Sequence, residues 1–506
     1  MNNNRKFIIL FLVITFFRLF LAYFFPITGD EAYFYRWGQY LDTVYYDHPG
    51  FIGWWMWLAQ YMGHHIFFPR LLEITVGVII AWGIYSVVND FTQDKNKSLL
   101  ASLLFYTTPM SLLSIMISTD TPLVLFVFLS GWFFLRSFKH HELVSYFLSA
   151  LCLGLAFWSK YLMFFMVWAL LLCAFICLQE LKKKILYIFI LGFVGLFFIA
   201  FHFYWSSQNC WWSVVFNIFN RDSETEFKLI HVFTYISFLV YLTTPWMFYF
   251  VIKNSKKLSF TTSPYFKAAW LMYAIPILLL AIPSSSYPNL HWPLSYIPFI
   301  FIAVASIQDI NFQKYLKFNL IFTSIHILFF TVLIFLPDHF LSSNKFYNDI
   351  IMGKYGNEIE NGLEKYKEHY TFGTVGYTTS GLMQYHNHHH YLVFNDKDNN
   401  GRSDDKWTDY RSLDGKNILI ISTYKFKPLQ LEENKNYFKE IIYEELTIRG
   451  ATFFIARGQI FNYQNYLTHY LTWVKNQYYN IPTFLPKGQC FFFERYFSQL
   501  SMKELL

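Results

Sequence analysis

A helix that crosses a bilayer needs about 20 consecutive apolar residues, and runs of this kind fill the first two thirds of the chain. They predict spans at 7–25, 70–88, 98–117, 119–136, 143–158, 161–178, 185–205, 231–252, 266–283, 290–307 and 316–336. Two of the short ones meet at Trp158-Ser159-Lys160. The first run follows Arg5 and Lys6 and ends in Phe24, Phe25 and Pro26. It is longer than the roughly 7–15 apolar residues of a cleaved signal peptide, so it predicts a retained anchor. After Pro337 the pattern changes. Short apolar runs at 391–394, 417–422 and 451–456 lie between turn signals and predict strands, and 465–478 predicts a helix. This tail, 338–506, reads as a small α/β domain. Residues 1–337 read as a membrane domain whose first outer loop is 26–69.

The loops fix an orientation. With the N-terminus inside, strict alternation puts five basic groups on one side. They are Lys95 and Lys97; Arg136 and Lys139; Lys182, Lys183 and Lys184; Lys253, Lys256 and Lys257; and Lys314 and Lys317. Such an excess marks the cytoplasmic face. Loops 26–69, 118–119, 159–160, 206–230 and 284–289 then face outward, as does the tail after an odd number of spans.

Composition agrees with this reading. Of 506 residues, 55% are hydrophobic and only 14% charged, about half the charged share of soluble domains. The net charge of +7 sits in short loops between apolar runs, where it sets orientation, so it does not point to nucleic acid. The five cysteines show no metal spacing. Cys152, Cys173 and Cys177 fall in apolar runs and read as packing residues. Cys210 and Cys490 both fall outside the membrane, but spacing alone does not say whether they pair.

Ionisable residues gather at the outward ends of the spans. Asp30 and Glu31 follow the first span, and Asp47-His48 precede Pro49. Asp120 lies at the junction of two spans, Lys160 interrupts an apolar stretch, and His291-Trp292 open another span. Charges at membrane depth are costly and usually face a cavity or each other. A carboxylate can accept a proton from an attacking hydroxyl. A carboxylate with a histidine can hold a divalent ion that neutralises a phosphate leaving group. A lysine can do so as a point charge. Together these suit group transfer from a phosphate-bearing lipid. The plainer alternative makes Asp30 a helix cap and Asp47 the start of a turn before Pro49.

The segments Gly29-Asp30-Glu31-Ala32-Tyr33 and Tyr45-Tyr46-Asp47-His48-Pro49-Gly50 resemble bacterial members of the protein O-mannosyltransferase superfamily, glycosyltransferase family 39. More distantly they resemble the lipid A aminoarabinose transferases. Ser118-Thr119-Asp120-Thr121-Pro122, 154–161, 287–298 and 401–422 are similar as well. The family often has a second proline where this chain has Gly50. The resemblance implies a GT-C fold of about 11–13 spans. It implies an inverting transfer from a polyprenyl-phosphate sugar at the outer face of a bacterial inner membrane. By resemblance, Asp30 is the base on the acceptor or orients it, and Glu31 supports it. Asp47 and His48, in a helix along the membrane surface, line the cavity and are candidates to hold a divalent metal. Asp120 is a second acid there, Lys160 faces the lipid phosphate, and His291 is a weaker cavity residue. The acceptor is expected to be lipid A or another envelope glycolipid or glycan, with a protein hydroxyl second.

Three other features stand outside these segments. Asp396-Lys397-Asp398-Asn399-Asn400-Gly401 starts like a calcium loop, but Trp407 stands at the twelfth position, where a glutamate is needed, so a polar turn is expected. His386, His388, His389 and His390 read as a solvated or sugar-facing loop. Arg221 and Asp222 are candidates to touch a lipid phosphate. A transporter of lipid-linked sugars would place polar residues near the midplane or show repeated broken helices. An envelope scaffold would leave Asp30, Glu31, Asp47 and Asp120 without a role.

Overall fold

The long apolar runs become helices. The computed structural model describes residues 3–221, 226–259, 261–307, 312–486 and 488–498. The chain forms two compact units, one of residues 1–25, 59–200 and 224–335, the other of 26–58, 201–223 and 336–506.

Among the described residues, five helices are long and apolar enough to cross a membrane: Phe7–Phe24, Phe67–Thr92, Leu181–Ser207, Pro264–Ser284 and Gln313–Phe335. Glu142–Phe157 and Tyr161–Cys177 are shorter apolar helices, divided at the 158–160 break. Three runs that read as single spans are interrupted; in 290–307, turns over 290–297 precede the short helix Pro298–Ala303. The 98–117 run is a helix, Lys95–Tyr106, then a short one, Pro109–Leu113. Thr108 between them is extended, as a residue before proline prefers. The 231–252 run is the pair Leu229–Thr243 and Pro245–Lys253, bent by 104° at Thr244, again before a proline.

Broken backbone at membrane depth needs internal partners, and Asn319 supplies them. Its Nδ2 donates to the Leu104 carbonyl at 3.0 Å and to Thr107 Oγ1 at 3.2 Å. Its Oδ1 accepts from Thr244 Oγ1 at 3.0 Å and from the Trp246 indole. Buried arginines do similar work. Arg70 Nη1 donates to the Ala22 and Phe25 carbonyls at 3.1 and 2.6 Å, at the negative end of the first helix. Arg18 reaches the Ser114 and Glu73 carbonyls, and its guanidinium fills the space above Gly77, where a Cβ would lie 2.4 Å from Nη1.

The second unit is built on a five-stranded sheet: β1 Thr371–Thr374, β2 Leu392–Val393, β3 Ile418–Ser422, β4 Phe438–Ile448 and β5 Ala451–Phe461. The order is β2-β1-β3-β5-β4. β1 runs parallel to β2 and β3, and β5 runs antiparallel to β3 and β4. Arg449 and Gly450, both at positive φ, turn the β4–β5 hairpin with Ile448 opposite Ala451. The expected strands match β2, β3 and β5, while β1 and β4 were not anticipated. The expected helix at 465–478 is present as consecutive helical turns over 463–478. The core joins distant segments: Tyr46, Trp212 and Phe216 pack with Phe394, Ile420, Tyr466 and Phe492.

Cys210 and Cys490 form a disulfide within this unit. Around it, Cys210 N donates to the Gln489 carbonyl and Gln489 N to the Ser207 carbonyl, each at 2.9 Å. A cross-link between residues 280 apart in sequence stabilises mainly by restricting the unfolded chain. Cys210→Ser should therefore cost about 2–5 kcal/mol. This is checked as a lowered thermal midpoint that reductant reproduces in the wild type and leaves unchanged in the variant.

Candidate active site

The helix Gly29–Gln39 begins with a reciprocal cap. Thr28 Oγ1 accepts from Glu31 N at 3.3 Å, and Thr28 N donates to Glu31 Oε2 at 3.1 Å. Thr28, not Asp30, is therefore the cap. Glu31 is buried and engaged in it, whereas Asp30 stands exposed on the first turn. An acid there suits the positive end of the helix.

Asp47 and His48 do not lie in a helix, contrary to the expectation. They occupy a tight loop closed by Tyr45 N to the His48 carbonyl at 3.0 Å and by a bridge between Val44 and Pro49. The next helix starts only at Phe51. Gly50 explains its departure from a second proline: its N–H donates to the Thr43 carbonyl at 3.0 Å, and a Cβ would lie 2.3 Å from that oxygen. Proline has no such N–H.

The Asp47 carboxylate is buried and well supplied with donors. It accepts from Tyr33 Oη at 3.1 Å and from Gly401 N at 3.1 and 3.2 Å. Gly401 holds φ +74, a conformation that favours glycine. Asn217 Nδ2 donates to the Asp47 carbonyl at 3.1 Å. These contacts make Asp47 the joint between 44–50 and the loop at 401. No group of three His, Cys, Asp or Glu side chains that could hold a metal occurs among the described residues. Both Asp47 oxygens are already taken by donors, so the pair fits a metal poorly.

Burial pushes the Asp47 carboxyl up to about 6, against the lowering effect of the Gly401 and Tyr33 hydrogen bonds. Its folded value thus lies above the unfolded value near 3.8. Across that window the folded state binds the proton more tightly, so the contribution from Asp47 falls as pH rises from about 4 to 6 and is constant above. Asp47→Asn should flatten this slope in a plot of thermal midpoint against pH.

Asp120, Lys160 and His291 come together in the membrane unit. Lys160 Nζ donates to both Asp120 oxygens at 2.9 and 3.0 Å, with both side chains largely buried. His291 Nε2 lies 4.0 Å from Asp120 Oδ2. Asp120 occupies the first turn of the helix Asp120–Arg136, and its N–H donates to Ser118 Oγ at 3.2 Å. Lys160 is extended between two helices. The seven candidates thus divide: Asp30, Glu31, Asp47 and His48 belong to one unit, and Asp120, Lys160 and His291 to the other.

Several further polar residues of the second unit, marked by no motif, are paired in the structure. Arg36 Nη2 and Nη1 donate to Asp404 Oδ1 and Oδ2 at 2.6 and 3.2 Å, and Nη1 also to Ser380 Oγ at 2.7 Å. Its guanidinium lies 4.9 Å above the Trp407 ring. Ser403 Oγ and Tyr33 Oη are hydrogen-bonded at 3.1 Å. Arg402 pairs with Asp405 through two bonds of 2.9 Å. The close grouping of Arg402, Asp404, Asp405 and Lys406 is the signal the sequence offers.

The remaining motifs serve the fold. Asp396 Oδ1 and Asp398 Oδ1 accept from the N–H two residues on, at 2.8 and 3.0 Å, making the expected polar turns. Within the histidine run His388 is exposed, whereas His390 bonds Tyr40 and Thr408, and His386 the Gly353 carbonyl. Arg221 Nη1 donates to Asn217 Oδ1 at 3.0 Å, and Asp222 lies outside the described residues.

Comparison with known proteins adds three findings. The sequence model of the family described as dolichyl-phosphate-mannose-protein mannosyltransferase matches residues 47–205. No curated protein sequence matches the chain. Two solved structures of ArnT from Cupriavidus metallidurans superpose on it with 13% identity. The apo form has a TM-score of 0.61 and covers 90% of this chain and 98% of ArnT. The form bound to undecaprenyl phosphate has a TM-score of 0.59 and covers 89% and 98%. The chain is therefore a polytopic helical membrane protein with the GT-C fold of ArnT and a small C-terminal α/β region.

Proposed function

We propose that this protein is a membrane glycosyltransferase that moves a sugar from a polyprenyl phosphate to a hydroxyl of lipid A or another envelope glycolipid. The observation that carries the reading is Asp30, an exposed carboxylate fixed on the first turn of a capped helix in a chain of ArnT fold. The acceptor oxygen attacks the anomeric carbon and inverts it. The bond from that carbon to the phosphate oxygen breaks, polyprenyl phosphate leaves, and the acceptor proton passes to Asp30. Glu31 fixes the turn that presents Asp30. Lys160, oriented by Asp120, is the counter-charge for the phosphate, with His291 beside them. Asp47 anchors the loop, and no step is routed through a metal there. The reaction takes place at the extracytoplasmic face of a bacterial inner membrane, with the N-terminus inside.

The family match at 47–205 favours a protein hydroxyl as the second acceptor class. The test is full-length protein in phosphatidylethanolamine–phosphatidylglycerol vesicles, given radiolabelled undecaprenyl-phosphate mannose or aminoarabinose. Lipid A and a membrane-protein extract are supplied as acceptors. Label in lipid A is expected, and label in protein supports the second class. Label that crosses the bilayer without transfer overturns the enzyme in favour of a transporter.

A further inference from the structure

The start of the helix Tyr377–Asn387 lies beside the start of Gly29–Gln39. A Cβ on Gly29 would meet Thr378 Cβ at 2.8 Å, and one on Gly381 would meet the Ala32 carbonyl carbon and Tyr33 N at 2.9 Å. Contacts advance in the same direction along both helices, since Arg36 bonds Ser380 and Gln39 bonds Gln384. The helices are parallel, and this alignment brings Tyr377 to the end that carries Asp30.

Two contacts fix the Tyr377 ring. It stands edge-on to the Tyr33 ring at 4.6 Å, and it covers Gly401, where a Cβ would lie 2.1 Å from its carbons. Gly401 and Tyr33 both donate to the Asp47 carboxylate. The ring is thus held by the same joint that anchors 44–50. Its hydroxyl has no hydrogen-bond partner among the described residues, and the residue is only half-buried. Burial and the Asp30, Asp47, Asp398 and Asp396 carboxylates push this phenol up, so it remains a donor at neutral pH. A rigidly held phenol with an unused donor, beside the base, is suited to orient a substrate oxygen.

We propose that Tyr377 contacts the acceptor: its hydroxyl donates to an oxygen of the hydroxyl-bearing acceptor and so aligns the hydroxyl that Asp30 deprotonates. This rests on the transferase reading above. Tyr377 gives up no proton in the reaction. It keeps its O–H while the acceptor proton goes to Asp30.

The test is Tyr377→Phe in the full chain, assayed in the vesicles above with lipid A varied and then with the undecaprenyl-phosphate sugar varied. Phenylalanine keeps the ring on Gly401. The expected result is a loss of about tenfold in kcat/KM for lipid A, as for one neutral hydrogen bond, with the donor KM within twofold and the thermal midpoint unchanged. Equal kcat/KM for lipid A overturns the inference, as does a change confined to the donor KM or one accompanied by a lowered midpoint. If Asp30→Asn is inactive and Tyr377→Phe behaves as wild type, only the Tyr377 role fails. If the wild type transfers from neither donor, the transferase reading fails and takes this role with it.

Discussion

Asp30→Asn is expected to lower sugar transfer by at least about 100-fold, the lower end of what a positioned base contributes. Asparagine keeps the size and shape of the side chain but accepts no proton. The fold should survive, because the cap is made by Thr28 and Glu31 and does not use the Asp30 side chain. A catalytic loss with an unchanged thermal midpoint is the predicted signature, read from initial rates in vesicles. Activity within a few fold of wild type would remove Asp30 as the base. Glu31→Gln should behave differently. It weakens the cap and leaves the Asp30 carboxylate in place, so its effect should appear first in stability.

Arg36→Leu is expected to have the largest effect on stability. It leaves the Asp404 carboxylate buried without its bidentate partner, a class of change that costs about 3–5 kcal/mol. The Asp404 carboxyl is already pushed up to about 6 by burial, with Arg36 pulling it down. Without Arg36 it should rise further, and protonation then relieves part of the loss. The sign follows: a carboxyl whose folded value exceeds the unfolded one costs more stability as pH rises through that interval. Thermal midpoints should therefore show a larger deficit at pH 8 than at pH 5. The double variant Arg36→Leu with Asp404→Leu should lose less than Arg36→Leu alone, because no unpaired charge remains.

What could be read in the sequence was local. Apolar runs gave the long spans, and Trp158-Ser159-Lys160 marked a true division between helices. Thr244-Pro245 was a legible break that the apolar run around it concealed. β4 escaped because its lysine and glutamates obscured the alternation of a strand whose partner, β5, was recognised. The site was legible as residue types but not as pairs. Asp47 meets Gly401 across 354 positions, Arg36 meets Asp404 across 368, and Cys210 meets Cys490 across 280. A single sequence carries no signal for such proximity. For that reason the metal expectation at Asp47-His48 rested on residue type, while the neighbours of Asp47 are an amide and a phenol.

The second unit is assembled from three stretches separated by membrane helices, and this order matters during synthesis. The loop with Asp30 and Asp47 emerges early from the ribosome, but its partners Gly401, Ser403 and Asp404 are made more than 300 residues later. Cys490 follows its partner Cys210 by 280 residues. Until then the loop has neither its buried ion pair nor its cross-link. The newly made protein must therefore pass through a stage in which its helices are made while the second unit is unfinished. A chain truncated before residue 400 should reach the membrane and remain vulnerable there to proteolysis, because it lacks the segments that close its second unit.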